Sequence, residues 1–281
     1  MSESEAARVA VVIPCYQDGA LLTEAVGSVR ESEPVELVII DDASPDPTTR
    51  EVLEALMARG VKVVRHERNR GVAAARNTGL ANTSAPYVLP LDSDDLLAPG
   101  VLGALADLLD THDAAVAYGD YREFGESDKL LEVPTWLDPF RLIYTNEYPQ
   151  TALFRRTLLE ELGGWDDDPR CGYEDWALWM SIAQSRSSAV HAGSGRVTHY
   201  QRVHGPRLLE HARRRHTSTY RYLRDTHRDL FARRSQVKSE SDLPEAKKLL
   251  YPIVYGRRRR FAFEPAIKET LERAGVWRRS L

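Results

Sequence analysis

Short apolar runs alternate with helical patterns along the first 120 residues, and this alternation limits the possible folds more than any other feature. The apolar runs occupy positions 9–13, 37–40, 61–64, 87–91 and 114–118. Between them, apolar residues recur at the spacing of an amphipathic helix, as Leu53, Leu56 and Met57 do. Because the runs are apolar throughout, they are typical of strands that are covered on both faces. The sequence therefore predicts an α/β fold, a mostly parallel sheet flanked by helices.

The pattern becomes less regular after residue 120. A stretch at 122–149 is rich in Trp, Pro and Tyr. Beyond it, the sequence predicts a short apolar segment at 151–154, helices at 157–162 and from Glu174, and a strand at 197–203. Long polar helices are expected after Pro206.

Charge divides the 281-residue chain into two parts near residue 205. The first 200 residues carry 33 acidic and 17 basic side chains, whereas residues 201–281 carry 9 acidic and 21 basic ones. With 42% hydrophobic and 28% charged residues, the composition is that of a globular protein and argues against wholesale disorder. We therefore predict two regions, a folded domain at 1–205 and a basic, mainly helical region at 206–281.

The location of the protein is predicted from what the sequence lacks. No apolar stretch approaches the ~20 residues that a membrane-spanning helix needs, and the N-terminal MSESEAAR is polar and acidic. The two cysteines, Cys15 and Cys171, are too few for a disulfide framework and lack metal-ligand spacing. These features predict a cytoplasmic protein.

Polar residues follow the predicted strands at the points where ligands bind in open parallel sheets. They include Asp41 and Asp42 after the second strand and Asp92, Ser93 and Asp94 after the fourth. Neither G-x-G-x-x-G nor G-x-x-x-x-G-K-[ST] occurs, which argues against a dinucleotide-binding Rossmann domain and a P-loop. Carboxylates repel a diphosphate unless a divalent cation lies between them. Asp92 and Asp94 are therefore candidate ligands of Mg²⁺ or Mn²⁺, although such a triplet also occurs as a turn or a helix cap.

At this point the residues resemble a known family. The segments VVIPCYQDG, LVIIDDASPD, NRGVAAARNTGL, YVLPLDSDDLL and GGWDDDPRCGYEDWALW occur in this order. Together they are similar to a family 2 glycosyltransferase of the GT-A fold, and the resemblance covers about residues 8–205. It implies an inverting, metal-dependent enzyme that moves a sugar from a nucleoside diphosphate sugar to a hydroxyl acceptor. Such an enzyme would serve bacterial cell-surface glycan, glycolipid or glycosylated natural-product biosynthesis.

The resemblance also implies roles for individual residues. Tyr16 would lie beside the base of the donor, and Asp41 would accept from the imide N–H of that base, which favours a UDP or dTDP donor. Asp92 and Asp94 would hold the metal and the diphosphate, and Asp175 would be the general base. The donor-binding set is Pro14, Tyr16, Asp41, Asp42, Arg76, Asp92 and Ser93.

Several of these roles have alternatives. Asp42 is equally well explained as a cap of the following turn. Asp175 opens a predicted helix, whose N-terminal dipole would keep the carboxylate ionised, but dipole compensation alone would also explain it. Glu174 and Trp176 are placed with the acidic pair or the acceptor, and of Trp176 and Trp179 one is expected in the core. His204, at the end of the last strand, either completes the metal shell or is an ordinary surface histidine.

The acceptor and the partners are less constrained. The basic region would bind an anionic membrane surface, recognise an anionic acceptor, or pair with the acidic domain. Nucleic-acid binding is disfavoured, because the basic runs lack a recognised DNA or RNA module. Two other functions compete with transfer: a phosphatase of the haloacid dehalogenase type using Asp92-x-Asp94, and a non-catalytic sugar-nucleotide sensor or membrane adaptor.

Overall fold

A computed structural model describes residues 6–204 and 215–255 of the chain. Eleven strands are found in these ranges: β1 (Val9–Cys15), β2 (Val35–Asp41), β3 (Lys62–Arg65), β4 (Tyr87–Pro90), β5 (Leu96–Leu97), β6 (Val116–Tyr118), β7 (Asp120–Gly125), β8 (Leu130–Leu131), β9 (Leu153–Arg155), β10 (Ala189–His191) and β11 (Val197–Val203). The helices of the first range are α1 (Gly19–Ser28), α2 (Pro47–Ala58), α3 (Val72–Ala81), α4 (Val101–His112), α5 (Pro139–Leu142), α6 (Arg156–Leu162) and α7 (Glu174–Ser185). Those of the second are α8 (His216–Thr226), α9 (Arg228–Ala232), α10 (Arg234–Glu240) and α11 (Glu245–Val254).

A seven-stranded sheet forms the centre of the fold, in the order β10-β6-β9-β4-β1-β2-β3. β1 pairs in parallel with β2 and β4, and β3 and β10 also run parallel to their neighbours. Only β9 is antiparallel, and it lies between β4 and β6. This arrangement confirms the predicted α/β fold with a mostly parallel sheet.

The central strands are buried because their side chains are apolar on both faces. Every residue of β1 and β4 is buried. β3 differs from the prediction of strands covered on both faces, because it lies at the edge of the sheet and exposes Lys62 and Arg65. Charged residues at a sheet edge hinder pairing with other chains.

Helix α3 packs unusually close to β1, and this contact fixes the position of Arg76. A Cβ atom at Gly79 would overlap the side chain of Val12, so only glycine allows this approach. Gly71, directly before the helix, has φ +88°, a left-handed conformation that also favours glycine. The glycines of the segment NRGVAAARNTGL therefore set where the helix begins and how near the sheet it lies.

A second sheet was not apparent from the sequence. It has four strands in the order β5-β11-β7-β8, and most of it comes from residues 120–131 and 197–203. The strand predicted at 197–203 is confirmed as β11, whereas the irregular stretch at 122–149 contains most of β7, all of β8 and helix α5. Because β5 and β8 have two residues each, no periodic pattern could reveal them.

The described part of the C-terminal region packs against the rest of the chain. Leu223, Leu230, Val237 and Tyr251 are buried in the same apolar cluster as Phe140 and Trp176. The helices described within 215–255 are short, the longest having 11 residues, and the mainly helical character of 206–281 as a whole remains a prediction. The boundary near residue 205 remains a prediction, and the arginine run at 257–260 lies outside the described residues.

None of the helices within 6–204 and 215–255 combines the length and apolar character that crossing a bilayer requires.

Candidate active site

The carboxyl ends of β1, β2 and β4 form one edge of the large sheet because the three strands are parallel neighbours. In register, Cys15 at the end of β1 lies beside Asp41 at the end of β2. The backbone N–H of Leu91, just after β4, donates to the Val12 carbonyl at 3.0 Å. This alignment places the acidic segments that follow the strands side by side, and we call this edge the candidate site.

Three carboxylates converge after β4. Oxygens of Asp92, Asp94 and Asp95 lie within 4.8 Å of one another. The side chains of Asp92 and Asp94 are 29% and 30% exposed, whereas Asp95 is buried. Asp95 Oδ1 accepts a hydrogen bond from the backbone N–H of Arg202 at 2.8 Å, which ties it to β11. The two outer carboxylates therefore face outwards, while the inner one anchors the loop.

His204 lies beside this cluster, next to Asp94. Its Nε2 lies 3.0 Å from Asp94 Oδ2, and its side chain is 50% exposed. The guanidinium of Arg202 donates to the Asp94 carbonyl at 2.9 Å and thereby fixes the segment that carries the carboxylate. Oxygens of two carboxylates and an imidazole nitrogen are suitable ligands for Mg²⁺ or Mn²⁺, so the donor set fits a divalent cation. Burial and the like charge of the neighbouring Asp92 raise the pKa of Asp94.

Asp18 is a further acidic residue of the site that the sequence reasoning did not assign. Ser93 Oγ donates to Asp18 Oδ2 at 2.8 Å, and burial raises the pKa of Asp18, to which Asp94 and Asp92 contribute. Ser93, predicted to contact the donor, is itself buried in this interaction. The position of Asp18, three residues after β1, was the available signal, because Asp41, Asp42, Asp92 and Asp94 also follow strands.

Arg76 connects the carboxylates that follow β4 with those at the start of α7. Its side chain is 1% exposed and donates to Asp92 Oδ1 and to Glu174 Oε1, both at 3.0 Å. Burial alone would lower the pKa of Arg76, but the two carboxylates outweigh this effect and raise it. The guanidinium therefore stays charged and links the end of β4 to the start of α7.

Asp175 is the second residue of helix α7, whose N-terminus was expected to keep the carboxylate ionised. Burial and the adjacent Glu174 raise the pKa of Asp175 to about 6, although the Trp176 backbone, Arg76 and Asn146 act in the opposite direction. The helix N-terminus thus does not dominate, because burial and like charge favour the neutral form more strongly. Asn146 Nδ2 donates to Asp175 Oδ2 at 2.9 Å. Asn146 comes from a loop with no sequence signal of function.

The acidic pair at the end of β2 is occupied by protein partners. Asp41 is fully buried, with Oδ1 accepting from the Ser44 N–H at 2.9 Å and Oδ2 from Arg65 Nε at 2.7 Å. Asp42 accepts from the backbone N–H groups of Arg70 and Gly71, each at 2.8 Å. These bonds hold the loop before α3 rather than the turn that directly follows Asp42, and it is Asp41 that accepts from that turn through Ser44. The contact of Asp42 with the donor stays a prediction. Both carboxylates hold loops at the edge of the site.

Three other predicted residues have contrasting positions. Tyr16 is 42% exposed beside the end of β1, whereas Pro14 is buried within that strand. Trp176 is 4% exposed, and its Nε1 donates to the Leu142 carbonyl at 2.8 Å. This burial corrects the placement of Trp176 at the acceptor side, because the indole packs in the core and leaves no open face for a sugar. Trp179 is buried as well.

Comparison with known proteins identifies relatives of the chain. The family model described as Glycosyl transferase family 2 matches residues 10–163, more than half of the chain. The glycosyltransferase GlyG of Streptococcus pneumoniae is 32% identical over 124 residues, which are 43% of this chain and 41% of GlyG. WfgD of Escherichia coli, a UDP-Glc:alpha-D-GlcNAc-diphosphoundecaprenol beta-1,3-glucosyltransferase, is 28% identical over 66% of this chain and 74% of its own. The chain spans less than half the length of the relatives that it matches at 32% identity.

The fold is also that of a solved structure. The crystal structure of S. aureus TarS 1-349 in complex with UDP-GlcNAc matches with a TM-score of 0.63 and 21% sequence identity. The match covers 96% of this chain and 78% of that one. At this sequence identity the likeness establishes the GT-A fold and no residue role.

Proposed function

Because the chain belongs to glycosyl transferase family 2, we propose that it transfers a sugar from a nucleoside diphosphate sugar to a hydroxyl acceptor with inversion at the anomeric carbon. A UDP or dTDP donor is favoured. The UDP-GlcNAc bound to TarS and the UDP-Glc named for WfgD support a uridine nucleotide.

One observation carries this proposal. The cluster of Asp92, Asp94 and His204 is joined through Arg76 to a separate carboxylate pair, Glu174 and Asp175. The cluster suits a cation and a diphosphate, and the pair supplies a base. A donor site and a proton acceptor at the same edge of a sheet are what a transferase to a hydroxyl needs.

The cluster would hold the diphosphate end of the donor. Asp92, Asp94 and His204 would hold Mg²⁺ or Mn²⁺, which would supply positive charge to stabilise the diphosphate leaving group. Arg76 keeps one oxygen of Asp92 fixed, and Arg202 fixes the backbone of Asp94. The protein groups are therefore held in place before the donor arrives, which lowers the cost of ordering them.

Asp175 would accept the proton of the acceptor hydroxyl. With a pKa of about 6, its carboxylate is mostly ionised at neutral pH, yet it is basic enough to take a proton as the oxygen attacks. Glu174 is held by Arg76 and is not placed to act as a nucleophile. One base and no nucleophilic carboxylate are consistent with a single displacement and therefore with inversion.

The nucleobase of the donor would bind between Tyr16 and Asp41. Tyr16 offers an exposed ring for stacking. Asp41 is fully buried, so an imide N–H would reach it only if a neighbouring side chain moved, and Arg65, whose side chain is 50% exposed, is the partner that can move.

The acceptor is proposed to be a sugar, a lipid-linked sugar or a small molecule, in glycan, glycolipid or natural-product biosynthesis. WfgD is named for a diphosphoundecaprenol acceptor, which supports the lipid-linked class. For such a substrate, we propose a cytoplasmic enzyme that binds the inner face of the membrane through its basic C-terminal region.

The competing functions have weaker support. In a phosphatase of the haloacid dehalogenase type, the Asp-x-Asp motif follows the first strand, whereas Asp92 and Asp94 follow β4. A non-catalytic sensor would not need a second carboxylate pair in which burial raises the pKa of Asp175.

The proposal is tested with Asp175→Asn, which keeps the shape of the side chain and removes the base. We expect donor affinity to stay near the wild-type value and transfer to fall by about 10²- to 10⁴-fold. Donor affinity is measured by calorimetry and transfer by release of the nucleoside diphosphate. Asp167→Asn, an exposed carboxylate before α7, is the matched control. Turnover retained by Asp175→Asn would falsify the assignment of the base.

A further inference from the structure

The loop between α5 and β9, residues 143–152, lies between Asp175 and the C-terminal helices. From this loop, Asn146 Nδ2 donates to Asp175 Oδ2 at 2.9 Å. We propose that Asn146 and the C-terminal helices that hold its loop form a positioning unit for the catalytic base. This inference rests on the proposed function, because it assumes that Asp175 is the base.

The side chain of Asn146 has one defined orientation. Its Oδ1 accepts from the backbone N–H of Tyr148 at 3.1 Å, which leaves the Nδ2 hydrogens for Asp175. A donor on one oxygen restricts rotation of the carboxylate, and a base must be held in a narrow range of orientations to meet the hydroxyl proton. Asn146 is therefore a positioning residue and need not touch either substrate.

Glu147, the next residue, is held by the last described helix. The Tyr251 hydroxyl of α11 donates to Glu147 Oε1 at 2.7 Å, and Arg141 Nη1 donates to Glu147 Oε2 at 2.8 Å. Glu147 and Tyr251 are 5% and 3% exposed. Because Asn146 and Glu147 are adjacent, the position of one constrains the other.

Two more contacts from the C-terminal region hold helix α5 and the first residue of the loop. Ser241 Oγ donates to Asp138 Oδ2 at 2.6 Å, and Asp138 caps α5 by accepting from the Phe140 N–H at 2.8 Å. The Tyr220 hydroxyl of α8 donates to the Ile143 carbonyl at 2.5 Å. Residues of α8 and α11 therefore contact the loop directly, and Ser241 fixes the helix that precedes it. Buried hydrogen bonds of this kind specify a single arrangement, since breaking one leaves a polar group without a partner.

The charges around Asp175 give the inference a specific signature. Asp175 interacts with the like charge of Glu174 and with the opposite charge of Arg76. The Cys171 thiol is also near, but its pKa is raised by burial and by the acidic groups around it, Asp175 among them. Asn146 favours the ionised form of Asp175 by donating to it. Removing this donor should raise the pKa of Asp175, an effect that a loss of packing elsewhere would not produce.

The test compares Asn146→Ala and Tyr251→Phe with a matched control. Tyr222→Phe also removes a tyrosine hydroxyl from the C-terminal helices, one that donates to Asp166 at 2.9 Å and has no contact with the loop among the described residues. Asn146→Ala is expected to lower kcat on the order of tenfold at unchanged donor KM, and to move the acid limb of the pH profile upwards. Tyr251→Phe should change kcat and the acid limb in the same directions by smaller amounts. Tyr222→Phe should change neither kcat nor the acid limb.

The outcomes separate this inference from the proposed function. If Asp175→Asn is inactive while Asn146→Ala has the wild-type kcat and pH profile, the positioning role is overturned and the base assignment stands. If Asp175→Asn turns over normally, both fail. If Asn146→Ala does not fold, Tyr251→Phe decides, since it removes a single oxygen, and a wild-type acid limb in that variant overturns the role of the C-terminal helices.

Discussion

Arg76 and Glu174 lie 98 residues apart in the sequence, and their side chains form an ion pair with an N–O distance of 3.0 Å. The same guanidinium binds Asp92. One buried cation thus connects the carboxylates proposed to face the diphosphate with those proposed to face the acceptor. Loss of this connection is expected to affect stability and function together.

Arg76→Lys tests the connection, because a lysine keeps the charge but cannot donate to two carboxylates in the geometry of a guanidinium. We expect the free energy of unfolding to fall by about 1–3 kcal/mol, since a buried polar interaction loses a partner. The measurement is urea denaturation, and Arg122→Lys at the exposed pair with Asp128 is the control, expected to change stability by less than about 0.5 kcal/mol. Equal stability of both variants would show that the bridge is not needed.

Asp94→Ala tests the cation site. The variant should lose the increase in thermal stability that UDP gives together with Mn²⁺ or Mg²⁺, because ligand binding stabilises the folded state by mass action. The free protein should be little affected, since the Asp94 side chain is 30% exposed. Asp128→Ala removes a carboxylate that is 79% exposed and should keep the wild-type response. An unchanged metal-dependent shift in Asp94→Ala would remove Asp94 as a ligand.

The pH dependence follows from the raised pKa of Asp175, about 6. Above this pH the carboxylate is ionised and can accept a proton, whereas below it the neutral form cannot. We therefore expect kcat to be nearly constant from pH 7 to 8 and to fall about tenfold for each pH unit below 6. Donor affinity measured over the same range separates the base from any titration of the donor. A flat profile down to pH 5 would contradict the assignment.

The arginine run at 257–260 lies outside the described residues, and its role is tested by charge removal. Replacing all four arginines by glutamine should weaken binding to vesicles that contain anionic lipid, by up to about 10³-fold if each contributes about 1 kcal/mol. Neutral vesicles are the control for non-ionic adsorption. Co-sedimentation that is the same for both proteins would leave acceptor recognition or pairing with the domain as the role of these residues.

The central sheet could be predicted from the sequence because its strands are apolar and its helices periodic. The second sheet could not, because β5 and β8 are too short for a period to be visible. The antiparallel insertion of β9 was likewise hidden, since three residues carry no information on direction. A hydrophobic pattern indicates which segments are buried. It does not indicate strand order, because that depends on contacts between residues distant in the sequence.

The candidate site was predicted where its residues follow strands. Asp92, Asp94 and His204 lie close together in the structure, and their role as metal ligands stays a prediction. The pairing of Asp41 with Arg65 and the contact of Asn146 with Asp175 required the fold, because each partner comes from an element more than 20 residues away. The rise in the pKa of Asp175 also required the fold, since burial is a property of the packed chain.

The place of β9 between β4 and β6 has a consequence for biosynthesis. While the ribosome makes the chain, β6 emerges before either of its neighbours in the finished sheet, β9 and β10, exists. Until residues 153–155 have left the exit tunnel, β4 and β6 each present an unpaired edge, the kind of surface on which nascent chains associate wrongly. β9 enters the interior of the sheet after both of its neighbours have been made, and β10 joins the edge beside β6 later still, so the sheet cannot assemble in the order in which its strands are synthesised.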